Sequence, residues 1–221
     1  MTTTLFSFQQ HTLKRQGVSV LSSLNLQIQQ GERVALLGIS GAGKSTLLEA
    51  LRRQQPKQSA WSPQLGALVP MLSVFHNIYM GALNRHPPLY NLTNLIRPMA
   101  REWQSVAALA QDLGLSDKLR TSVDRLSGGQ AQRTALGRAL FSQRDILLAD
   151  EPVSSVDEQQ AEALLTMAIQ RHHTAVVALH DRELALHCCD RIIGLKQGEI
   201  VLDAASSSLS ISDLDPLYRR G

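Results

Sequence analysis

Gly38-Ile39-Ser40-Gly41-Ala42-Gly43-Lys44-Ser45-Thr46 is the stretch that decides the fold. Gly38 and Gly43 bracket four residues, and Lys44-Ser45 follows, which completes a phosphate-loop pattern. Just before it lies the apolar β-type run Arg33-Val34-Ala35-Leu36-Leu37, and just after it Leu47-Leu48-Glu49-Ala50-Leu51 has helical character. Strand, glycine loop and helix in that order turn a pattern match into a site. The glycines let successive backbone N–H groups converge on one concavity without Cβ clashes. The helix start adds its positive dipole end beneath the phosphates. Lys44 supplies a mobile point charge for the β- and γ-phosphates, and Ser45 offers a hydroxyl to Mg²⁺. The competing reading, a glycine turn without a ligand, does not explain the flanking strand and helix. The stretch assigns nucleoside triphosphate binding.

With 221 residues, 43% hydrophobic and 19% charged, the chain is long and apolar enough for one substantial globular domain. The net charge of +3 is spread without a long Lys/Arg block, and aromatic residues make up only 4%. That argues against nucleic acid as a partner, which calls for a basic stripe or an aromatic platform. Cys188 and Cys189 are adjacent. Neighbours in the chain rarely close a disulfide of normal geometry, so they are expected as buried apolar residues near a helix end in a reducing compartment. The N-terminus lacks a signal-sequence pattern, and no apolar run reaches the length of a membrane span. A cytosolic protein is expected, held at a membrane only by a partner.

Working outward, residues 5–37 have strand character, with Gln30-Gly31-Glu32 as the turn into the strand before the loop. Helices are expected over 45–54, 99–113, 128–141 and 158–171, with Gly114 as a C-cap. Asp145-Ile146-Leu147-Leu148-Ala149 and Thr174-Ala175-Val176-Val177-Ala178-Leu179 are continuous apolar strands of a parallel sheet covered on both faces. Ile192 to Leu202, turning at Gly198, is expected to form a hairpin. Residues 205–213, rich in Ser and Asp, are expected as loop or mobile tail. Strands alternating with helices give an α/β fold.

The strand at 145–149 ends in Asp150-Glu151, and ligands sit outside the carboxyl ends of such strands. In a phosphate-loop protein the first carboxylate can hold Mg²⁺ through water, and the second can orient and deprotonate the attacking water. His180 follows the strand at 174–179, falls at the same edge and can donate to the γ-phosphate; a structural role is the plainer alternative. Leu126-Ser127-Gly128-Gly129-Gln130 opens the helix at 128–141, with Ser127 as its cap. It is a second anion-binding helix start, which suggests a second nucleotide face used in trans.

The phosphate loop, Gln64, the Leu-Ser-Gly-Gly-Gln stretch, Leu147-Leu148-Ala149-Asp150-Glu151-Pro152, Ser154-Ser155-Val156-Asp157 and His180 come in the order found in ATP-binding cassette ATPases. The chain resembles that family over essentially its whole length. The resemblance implies a P-loop NTPase with a mostly parallel core sheet, a trimmed N-terminal antiparallel β part and a helical signature subdomain at roughly 65–140. It implies a head-to-tail dimer of two copies, with ATP between the phosphate loop of one and Ser127, Gly128, Gly129 and Gln130 of the other. Glu151 then resembles the catalytic base, Asp157 the residue that communicates between paired sites, and Gln64 the glutamine that contacts Mg²⁺ and senses the membrane partner. A single cassette without membrane spans is similar to importer subunits at the cytoplasmic face of the inner membrane. Such subunits work with separate permease chains and, indirectly, a solute-binding protein. Asn77-Ile78-Tyr79-Met80-Gly81-Ala82-Leu83, the 176–180 and 190–198 stretches and terminal Leu217-Tyr218-Arg219-Arg220 are similar to phosphonate-importer ATPases. The apolar stretch within 65–90 (Leu65, Leu68, Val69, Met71, Leu72, Val74, Phe75) is expected to receive the permease or to be core.

Two departures from the family pattern stand out. Gln64 comes only 20 positions after Lys44, and Pro63 stands where an aromatic is usual. Arg15 takes the place of the aromatic residue that stacks on adenine; a guanidinium can also stack on a flat ring, or Arg15 is an ordinary surface residue. The rival readings are an importer ATPase for another small solute, a non-transport cassette ATPase, and a degenerate cassette that binds ATP without turning it over.

Overall fold

The computed structural model describes residues 3–64 and 68–219. Leu65 and Arg220, named above, lie outside them. Two long strands come first, β1 (Thr4–Arg15) and β2 (Val18–Gln29), paired antiparallel as a separate two-stranded sheet. β3 (Arg33–Leu37), the phosphate loop and α1 (Lys44–Gln54) follow, then β4 (Ser59–Ser62). Helices α2 (Val74–Tyr79), α3 (Pro88–Ile96), α4 (Ala100–Asp112) and α5 (Gly128–Phe141) lead to β5 (Ile146–Asp150). The chain then alternates α6 (Glu158–Gln170), β6 (Thr174–Ala178), α7 (Arg182–Cys188), β7 (Arg191–Lys196) and β8 (Glu199–Ala205).

The core sheet runs β4-β5-β6-β3-β7-β8, with all pairs parallel except the closing β7–β8 hairpin. Its central strands β3, β5 and β6 are apolar along nearly their whole length because both faces are covered. Successive side chains point to opposite faces, so each strand feeds two cores. Val34, Leu36, Ile146, Leu148, Val176 and Ala178 pack with α1 and the β1–β2 ribbon. Ala35, Leu37, Leu147, Ala149, Ala175 and Val177 pack with the helices of the other face. Arg191 joins the layers: it forms a two-pronged pair with Asp203 at 2.6 and 2.7 Å and reaches Glu32 at 3.0 Å.

The expected helices and core strands form within a residue or two of their places, and the hairpin forms with its second strand three residues longer. Cys189 is buried and Cys188 half-buried at the end of α7, both free thiols; burial pushes the Cys189 thiol well above its ordinary value. Two features differ from expectation, and one stretch divides between the two readings left open for it. The short segment between Lys44 and Gln64 still supplies a core strand, β4, whose residues pair with Ile146–Ala149 of β5. Of the apolar 68–75 stretch, Val74 and Phe75 are core, whereas Val69 and Met71 are exposed. Residues 205–213 are no mobile tail: 3₁₀ turns at Ser206–Ser208 and Ile211–Leu217 bring Leu214 and Leu217 into the core. Burying each leucine contributes roughly 1.5–3 kcal/mol, enough to dock a serine-rich segment.

Candidate functional site

The carboxyl ends of β3, β5 and β6 deliver the loop, Asp150-Glu151 and His180 to one edge of the sheet. There a cavity of about 430 Å³ is lined by Ser40, Gly41, Ala42, Gly43, Lys44, Ser45 and Thr46, by Gln64, Glu151 and His180, and by Arg15 and Val20. Gly38 and Ile39 form the base of the loop. Gly38 has φ +143°, and a Cβ there would collide with the Leu195 carbonyl oxygen, so only glycine fits. α1 starts at Lys44 with no side chain capping it, leaving its first turn facing the cavity.

The buried Lys44 ammonium donates to the carbonyls of Gly38 at 2.7 Å and Ile39 at 3.3 Å. Burial lowers its pKa, against the pull of Glu151 and Asp150. Asp150 is buried behind the loop. Burial pushes its carboxyl above the ordinary range, opposed by a hydrogen bond from Ser45. The Glu151 carboxylate accepts from Gln64 Nε2 at 2.8 Å and lies 2.5 Å from His180 Nε2. Glu151 itself has φ +51°, and its N–H donates to the Ala178 carbonyl at 3.0 Å. A non-glycine residue held in the left-handed region costs about 1–3 kcal/mol and persists where surrounding structure over-determines it. Here the bond to β6 and the two side-chain partners do so, aiming the carboxylate into the cavity.

The signature helix start is formed as expected but lies apart from this cavity. Ser127 Oγ accepts from Gln130 N–H at 3.3 Å, and Gln130 Oε1 accepts from Ser127 N–H at 3.0 Å, a reciprocal cap. Gly129 approaches the Ser155 carbonyl so closely that a Cβ would collide with it. Asp157 caps α6 by accepting from Gln160 N–H at 3.1 Å. Neither Ser127–Gln130 nor Asp157 lines the 430 Å³ cavity of the same chain.

Two residues outside the motifs belong to this machinery. Gln132, one turn into α5, donates to the Glu151 carbonyl and to Ser154 Oγ at 2.9 Å, and accepts from Ser155 N–H at 2.8 Å. It stitches the signature helix to the loop after β5. Val20 lines the cavity beside Arg15. Neither has a spacing signal: Gln132 is one polar residue on a mixed helix, and Val20 one of several valines in strands.

Arg15, at the end of β1, stands on the cavity wall, as a base-stacking residue requires. If it meets adenine, Arg15→Trp tightens ATP binding by about three- to tenfold, the worth of a better stacking face at about 0.5–1.5 kcal/mol. Calorimetry with Arg15→Trp and Arg15→Ala checks this; equal affinities in the two variants remove Arg15 from the base.

The model of the family described as ABC transporter matches residues 21–154. The phosphonates import ATP-binding protein of Anaeromyxobacter dehalogenans is 37% identical over 92% of this chain, which spans only 46% of that protein. The phosphite import ATP-binding protein of Stutzerimonas stutzeri is 36% identical over 91% of this chain and 82% of that protein. A solved ATP-binding cassette, dimeric in a post-hydrolysis state with ADP and Pi, superposes with a TM-score of 0.73 over 93% of this chain and 99% of that one, at 23% identity. With the phosphate loop, the Asp150-Glu151 strand end and the signature helix in place, this chain belongs to the ABC transporter family as an ATP-binding cassette ATPase.

Proposed function

We propose that this chain hydrolyses ATP to drive a separate membrane permease that imports a phosphonate or a related phosphorus oxyanion. The observation that carries the ATPase reading is the Glu151 carboxylate, held at the cavity edge between Gln64 and His180. With ATP bound, Glu151 takes a proton from the water that attacks the γ-phosphorus. The bond from that phosphorus to the ADP oxygen breaks, and Lys44 offsets the charge left on the β-phosphate. His180 donates to the γ-phosphate.

The hydroxyl of Ser45 and the buried carboxylate of Asp150, close neighbours beside the loop, are hard oxygen donors that suit Mg²⁺. The ion, with Gln64 as a further ligand, would neutralise phosphate charge.

Two copies closing head to tail would place Ser127–Gly129 of one over the phosphates held by the other. In favour is the helix start that lies apart from its own chain's cavity, and the dimeric state of the similar ADP-bound cassette. Asp157 then links the paired sites. Among the described residues no helix is long and apolar enough to cross a membrane. The permease would therefore hold the cassette at the inner face of the membrane, and a solute-binding protein would act indirectly. The exposed apolar residues Val69 and Met71, with Leu89, Leu92 and Ile96 of α3, exceed what a free surface calls for and suit such a partner.

The phosphorus-oxyanion reading rests on the relatives named above. Uptake in a strain lacking only this chain tests it. Growth on a phosphonate or phosphite as sole phosphorus source should fail, return with the intact gene and not return with Glu151→Gln. Unchanged uptake of both, with another solute excluded, assigns a different importer; no uptake defect of any kind favours a non-transport cassette.

A further inference from the structure

The C-terminal segment reaches the nucleotide site. After the turn at Ile211–Leu217, Lys196 Nζ donates to the Pro216 carbonyl at 2.7 Å, and Arg182 pairs with Asp215. The Arg182 guanidinium also lies 5.3 Å from the centre of the Tyr218 ring, a cation–π contact. These anchors set the phenol in a half-buried position, where burial holds its pKa above the ordinary value and keeps it a donor. Its hydroxyl donates to the backbone carbonyl of His180 at 3.3 Å, and the nearby Gly38 backbone opposes the rise in its pKa.

Gly38 opens the phosphate loop after β3, and His180 follows β6, the adjacent parallel strand. The last backbone bond between the two runs from Leu179 N–H to the Leu36 carbonyl, at 3.1 Å. Beyond it, the Tyr218 hydroxyl holds the His180 carbonyl.

We propose that Tyr218 is a positioning residue that fixes the His180 backbone just beyond the end of β6 and so aims the imidazole at the γ-phosphate. This rests on the reading of His180 as a γ-phosphate contact. It makes the end of the chain part of the site's frame, and it predicts a defect confined to the nucleotide that carries a γ-phosphate.

The test uses calorimetry on the full chain with ADP and a non-hydrolysable ATP analogue. Tyr218→Phe keeps the ring, the packing and the cation–π contact and removes only the hydroxyl. Affinity for the analogue should fall about three- to tenfold, the worth of one hydrogen bond, with ADP affinity within about twofold. His180→Ala should lower the preference for the analogue by itself, and Tyr218→Phe should add nothing in that background. If His180→Ala leaves the preference unchanged, the His180 reading falls and the positioning role with it. If His180→Ala lowers the preference and Tyr218→Phe does not, the positioning role alone is overturned. It is also overturned if Tyr218→Phe weakens ADP and analogue alike, or acts equally with and without His180. Should Tyr218→Phe not fold, Asp215→Asn loosens the Arg182 anchor from outside the cavity: a smaller drop in preference supports the role, and no drop overturns it.

Discussion

Replacing Glu151 by Gln leaves ATP bound and slows its hydrolysis by about 10²–10⁴-fold, the usual worth of a positioned general base. The reason lies in the geometry. The carboxylate is held by Gln64 at 2.8 Å and His180 at 2.5 Å, and an amide keeps its shape but cannot take the water's proton. The backbone bond from residue 151 to Ala178 does not involve the side chain, so the left-handed conformation survives the change. Binding without turnover should also trap the closed pair of cassettes. Light scattering after size exclusion is expected to show a dimer with Mg-ATP and a monomer with ADP. Ser127→Arg, which puts bulk and charge at the helix start, should abolish that dimer. A Glu151→Gln chain that turns over ATP near the wild-type rate removes Glu151 from the base role. One that stays monomeric at saturating Mg-ATP counts against the sandwich.

What could be read from the sequence was local. The phosphate loop, the strand ending in Asp150-Glu151, and the Ser127 cap each need only a few consecutive residues, and physics within those residues determines the outcome. Glycines permit the loop, an apolar run crosses the sheet, and a serine with a glutamine three residues on closes the cap. β4 was not legible. Ser59-Ala60-Trp61-Ser62 is too short and too polar to announce a buried strand, and it becomes one because β5 lies alongside it and Arg144 grips the Ser59 carbonyl at 2.7 Å. The serine-rich end misled in the same way. Its composition suggests disorder, but Leu214 and Leu217 sit at the spacing that a 3₁₀ turn brings to one side, and two buried leucines outweigh several serines. The contacts of Gln132 and Tyr218 were not legible for a different reason: their partners lie 19 and 38 residues away in the chain, so only the folded chain brings them together. Gln64 is the intermediate case. The shortened spacing from Lys44 left its place in question, and the bond to Glu151 puts it at the cavity.

Lys44→Ala should raise the dissociation constant for Mg-ATP by a hundredfold or more. Its ammonium is buried in the loop, rests on the carbonyls of Gly38 and Ile39, and lines the cavity. Burial lowers its pKa and the carboxylates of Glu151 and Asp150 oppose that, so an arriving triphosphate strengthens a charge the site already partly supports. Charge-assisted hydrogen bonds are worth about 1.5–3 kcal/mol each, and two of them, to the β- and γ-phosphates, give about 3–6 kcal/mol. Each 1.4 kcal/mol is tenfold in affinity, so a hundredfold is the lower end of that range. ADP should lose less, since only its terminal β-phosphate meets the lysine. The substitution also frees two loop carbonyls, which water at the open cavity can satisfy, so the fold should persist with a melting temperature near that of the parent. Calorimetry with Mg-ATP and Mg-ADP measures both losses. Parental affinity for ATP would contradict the phosphate-loop assignment itself. Equal losses for the two nucleotides would instead place Lys44 on the β-phosphate alone and leave the γ-phosphate to His180.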